Sequence, residues 1–134
     1  ILAFAVWWGC AASSCAYGTE VANLADNPNW LVWEARGDFL ELAPRYAVQP
    51  LGMALSALAI IFVTAMGLAR VRERLRVGLS LLLLILCCFW LGFLRGDPSP
   101  HLGGVRVDQL LDGFFVIVAI ALIALPRRYN VSAS

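Results

Sequence analysis

The chain has 134 residues, 61% of them hydrophobic and only 14% charged, with a mean hydropathy of +0.80 and a formal net charge of +1. A soluble domain of this length needs far more charge to cover its surface, so the composition excludes one. All ten cations are arginine; without a lysine there is no Schiff-base lysine and no P-loop lysine, and nothing points to a nucleic-acid partner.

The first predicted element is an uncharged helix over residues 1–18, rich in small side chains (Gly9, Ala11, Ala12, Ser13, Ser14 and Ala16). A cleaved secretory leader is the rival reading, since Cys10 follows Gly9, but Trp7 and Trp8 stand where such a cleavage site wants small or aliphatic residues. The long polar stretch that follows contains Asp26-Asn27-Pro28, which reads as a helix start. A short helix is therefore expected over 29–42, ended by Pro44. In it Trp30, Trp33 and Phe39 serve as interfacial anchors, and Glu34, Asp38 and Glu41 form one acidic face. Such a helix lies along a membrane surface with its aromatics at headgroup level. The acidic face also consists of hard oxygen ligands suited to a divalent cation, although a solvated face explains it equally well and no metal site is assigned.

Two charge-free runs come next, Tyr46 to Ala69 and Val77 to Leu94, giving spans over 49–69 and 77–94. Between them lie Arg70, Arg72, Arg74 and Arg76, and a short loop so loaded with positive charge stays on the cytoplasmic side. The last span must draw in residues from Val107 to reach about 30 Å, and so runs over 107–126. Arg127 and Arg128 follow it and add to the cytoplasmic count. The fold predicted is therefore an all-α polytopic membrane protein, one domain of four transmembrane helices with an interfacial helix between the first two. It is placed in the cell (inner or cytoplasmic) membrane with both termini in the cytoplasm.

Extending the last span leaves Asp108 and Asp112 on one helix face near its outer end. Carboxylates at membrane depth are costly and often mark ion or proton routes, while the positive end of the helix dipole also favours them there without any function. With His101, the lone histidine, they are the ion or proton candidates. Asp112, the deeper of the two, is expected to bond to Arg106 or Arg95, to His101 or to free backbone donors. A single histidine cannot supply bis-histidine haem ligation, and no cofactor is indicated. Cys10, Cys87 and Cys88 are the candidate thiols. Cys10 and Cys87 fall at similar depth, so they could pair across neighbouring helices, although small buried hydrophobes is the simpler reading. No C-x-x-C motif is present. The two Arg-Gly-Asp tripeptides, at 36–38 and 95–97, read as coincidence, and Asn130 follows the cytoplasmic arginines, where glycosylation does not occur.

Gly9 with Ser13, and Gly52 with Ser56, are four apart and suit close helix contact. No catalytic constellation emerges. The expected function is that of a small accessory or assembly subunit of a larger membrane complex, with the bilayer and other subunits or a second copy as partners. The alternatives are a transport component using Asp108 and Asp112, and a membrane thiol redox protein.

Overall fold

A computed structural model describes residues 1–37 and 41–124. Four helices dominate it: α1 (Leu2–Ser13), α2 (Val48–Leu68), α3 (Glu73–Gly92) and α4 (Val107–Ala124). They pack in chain order, α1 on α2, α2 on α3 and α3 on α4. Helices α2, α3 and α4 have 21, 20 and 18 residues and are long and apolar enough to cross a membrane. Most of their outward side chains are bare hydrocarbon, for example Leu58, Ile61, Phe114 and Ile117. In water that surface would be prohibitive, whereas lipid accepts it.

The three long helices follow the sequence closely. Helix α3 begins four residues earlier than expected, because Glu73 suits the first turn, where the helix dipole favours an anion. At this end of the bundle the Arg74 guanidinium donates to the carbonyl of Leu122 and so ties the first turn of α3 to α4. Arg127 and Arg128 lie outside the described residues.

Two expectations are overturned. The first helix was expected to continue to Gly18 as a fourth span, but α1 stops at Ser13, and among the described residues three helices are long and apolar enough to cross. Helix α1 stops because Ser14 takes a left-handed conformation (φ 58°) and Cys15 turns back to form a disulfide with Cys10. The amide of Cys15 donates to the carbonyl of Cys10, and the Gln49 side chain donates to the carbonyl of Cys15 at 2.6 Å. These bonds occupy carbonyls that a continued helix would have used. The same bridge excludes the alternative pairing of Cys10 with Cys87 or Cys88, both of which are free thiols.

The second correction concerns residues 29–42, which do not form an interfacial helix. They enter an antiparallel hairpin of β1 (Val32–Arg36) and β2 (Leu42–Tyr46), in register from Val32 opposite Tyr46 to Arg36 opposite Leu42. The hairpin is stabilised by more chain than its own. Residues 18–21 run along the far edge of β2, where the Val21 amide donates to the Pro44 carbonyl and the Tyr46 amide to the Thr19 carbonyl. On their other side these residues meet the exit of α3: the Thr19 amide donates to the Leu94 carbonyl, and the Gly96 amide to the Tyr17 carbonyl, both at 2.8 Å. Backbone from two connections, α1–α2 and α3–α4, thus forms one ribbon, the cap, over the bundle end where α2 and α4 begin. A second, smaller hairpin, β3 (His101–Leu102) and β4 (Val105–Arg106), turns through Gly103 and Gly104, both at positive φ (60° and 83°). Two glycines meet the demand of a two-residue hairpin loop without Cβ strain.

Glycines set the helix spacing, though not all those expected to. Gly52 receives the indole of Trp7, whose Cε3 would lie 2.7 Å from an added Cβ, and Ser56 is buried one turn on. Gly9, by contrast, faces open space. Gly78 and Gly92 bring α3 against α4 near its two ends, facing Ile123 and Gln109.

Candidate functional site

The polar chemistry of the chain gathers at the cap. Arg106 reaches it from β4, and its side chain is only 10% exposed. Its guanidinium donates to the backbone carbonyls of Arg95 (3.3 Å) and Asp97 (3.2 Å) and to both oxygens of Asp108. It also lies 3.5 Å from the Asp97 carboxylate. Arg95, at the exit of α3, holds Asp97 through two hydrogen bonds of 2.8 and 2.5 Å and reaches Asp108 at 3.5 Å. Two arginines and two carboxylates therefore close on one another, with Asp108 in the first turn of α4, where the dipole adds to its stabilisation.

A second arginine, Arg45 of β2, is buried beneath the ribbon. It pairs with Glu41 at 2.8 Å and Glu20 at 3.5 Å, and its guanidinium lies 5.0 Å from the centre of the Tyr17 ring. Arg45 did not stand out in the sequence, because Glu20 and Tyr17 come to it from a segment distant along the chain.

The electrostatics of Asp97 yield a testable pH dependence. Burial pushes its carboxyl up, but the hydrogen bond and charge of Arg95 and the charge of Arg106 outweigh this and hold it below the ordinary carboxylate range. Arg95 is raised in turn by its hydrogen bond to Asp97, against the opposing effect of burial. A carboxyl depressed in the folded state contributes stability above its unfolded value, near 4, and loses it as pH falls through the folded value. Thermal unfolding measured from about pH 5 down to about pH 2 should show the cap weakening, and D97N should flatten that slope.

The expected site residues are distributed unevenly over this framework. Asp108 is the carboxylate that joins the arginines; Asp112, expected to bond to Arg106, Arg95 or His101, makes no hydrogen bond or ion pair among the described residues. His101 is exposed in β3, away from that cluster's hydrogen bonds. Trp30 and Trp33 are 69% and 41% exposed beside and within β1, and Glu34 is exposed on that strand. Glu41 is tied to Arg45, so the acidic face expected of a helix is divided between a strand and the start of its partner. Asp38 and Phe39 lie outside the described residues. Among the described residues no group of three potential metal ligands comes together.

One polar feature descends below the cap. Gln109, buried in the second layer of α4, packs its amide against Gly92 of α3, with Nε2 3.2 Å from where a Cβ would stand. That nitrogen has no hydrogen-bond partner among the described residues. Asp112 follows one turn deeper, within electrostatic reach of Arg95, Asp108 and Cys88. The glycine at 92 makes the room: a side chain there would displace the amide. No family model, curated protein or solved structure matches the chain.

Proposed function

We propose that the chain is a small integral membrane accessory or assembly subunit of a larger membrane complex, inserted with its arginine loop on the cytoplasmic side and its cap outside. The observation that carries this reading is the apolar surface of the cap. Trp30, Leu42 and Leu102 are 69%, 66% and 69% exposed, outside the residues of the spanning helices, and the chain's own core does not cover them. The arginine–carboxylate cluster, meanwhile, spends its donors on its own backbone and carboxylates, as a structural clamp does. Extraction in a mild detergent should yield the chain with a partner at fixed stoichiometry. The double variant W30D/L102D should lose that partner while keeping its thermal unfolding temperature. A monomer on native extraction, or undiminished association of the variant, refutes the reading.

A second reading, a proton- or cation-coupled transport component, is favoured by the lack of a partner for Asp112 of α4 among the described residues. It requires flux in liposomes that disappears in D112N.

A further inference from the structure

We propose that Asp112 and Gln109 form a proton-binding pair at the interface of α3 and α4, reached from the cap beneath Arg95 and Asp108. The two residues are three apart on α4 and therefore share a face, close enough for their side chains to meet. No hydrogen bond reaches the Asp112 carboxylate or the Gln109 amide among the described residues. Gln109 is 94% buried by its 6% exposure, so an amide left without a partner there is costly.

The chemistry of the two groups says what would satisfy them together. A carboxylic acid and a primary amide are mutual complements: the amide N–H donates to the acid carbonyl, and the acid O–H donates back to the amide oxygen. An ionised carboxylate can take only the first of these bonds, and its charge then faces the amide oxygen. One proton added to Asp112 thus supplies the missing donor, neutralises a charge set within an apolar helix, and completes both side chains at once. A hard metal cation fits less well. One carboxylate and one amide oxygen fall far short of the roughly six oxygens such an ion takes.

The surroundings give the proton a direction of entry. Arg95 and Asp108 lie above Asp112 on the cap side, and Cys88 of α3 lies beside it. Towards the arginine loop α3 meets α4 through Gly78 against Ile123 and Ala119, and Arg74, the charged group there, is bonded to the Leu122 carbonyl. Helix α2, the other neighbour of α3, has no ionisable side chain along its length. The pair therefore equilibrates with the cap side alone.

The test is difference infrared spectroscopy of the full chain in liposomes, with orientation fixed by impermeant labelling of a cysteine placed at Ser99. A protonated-carboxyl band is expected that responds to pH on the cap side and not on the other, and that is absent in D112N. In Q109L, which keeps the volume and removes the amide, the band should move to the frequency of an unbonded acid and its titration midpoint should shift. Absence of a band dependent on Asp112 at any pH from about 4 to 9 overturns the proposal, as does a spectrum unchanged by Q109L or a response to the opposite side. The inference extends the transport reading but separates from it experimentally. A titrating pair without flux leaves the pair and removes transport; flux lost in D112N without an amide-dependent band does the reverse.

Discussion

Replacing Arg106 with methionine should cost about 3 kcal/mol of stability, because breaking a buried ion pair by removing one partner strands the other. The variant keeps most of the side-chain volume and deletes every donor. Two carbonyls, those of Arg95 and Asp97, then lose the guanidinium, and Asp108 keeps only the 3.5 Å approach of Arg95 and the hydrogen bond from the Gln109 backbone amide. Lysine should recover little of the loss, since one ammonium cannot span two carbonyls and two carboxylates lying in different directions. Thermal unfolding in detergent, followed by tryptophan fluorescence, is the measurement. Arg36→Met on the exposed edge of β1 is the comparison and should move stability by less than about 0.5 kcal/mol. Equal effects at the two positions would mean that the cap cluster contributes nothing beyond surface charge.

Gly18→Ala should be at least as damaging, for a different reason. A methyl there would fall onto the Tyr46 carbonyl oxygen and within 2.8 Å of the carbonyl carbon and Cα of the same residue. All three atoms are backbone, so no rotamer change relieves the clash. The segment must instead withdraw from β2, giving up the bonds from Tyr46 to Thr19 and from Val21 to Pro44. Overpacking of this kind costs about 1–3 kcal/mol, and each lost ribbon bond adds about 1 kcal/mol. Gly9→Ala, which meets nothing within 4 Å, should lose no stability. Unfolding curves for the pair separate the two cases. A Gly18→Ala protein as stable as Gly9→Ala would show that residues 18–21 do not brace the hairpin.

The long helices were legible because each is specified locally. A run without charge, closed by an arginine cluster or by a carboxylate in the first turn, is enough to specify α2, α3 and α4. Asp108 was readable for the same reason, standing at a helix start with Arg95 and Arg106 nearby in the chain. What escaped the sequence depends on distant chain. Trp30, Trp33, Glu34 and Glu41 recur at spacings that fit a helical face, and nothing local reveals that β2 is flanked by residues 18–21. The disulfide was hidden by the helix assumed around it. Five residues turn about 500° in an α-helix, which puts Cys10 and Cys15 roughly 140° apart and out of reach. Only when Ser14 leaves the helix do they meet. Gln109 gave no signal at all, since an uncharged amide near a helix start looks ordinary until Gly92 is placed against it.

The ribbon over the bundle also imposes an order on biosynthesis. Thr19 bonds to Leu94, 75 residues later in the chain. As the polypeptide emerges from the ribosome, residues 18–21 therefore present an unpaired strand edge until α3 has been made. The hairpin can close on itself early, but its lock arrives only with the exit of the third helix. During that interval the exposed edge is open to pairing with another nascent copy, the hazard that unpaired edges carry. Faster elongation through α2 and α3 shortens the exposure, and a stall between them prolongs it.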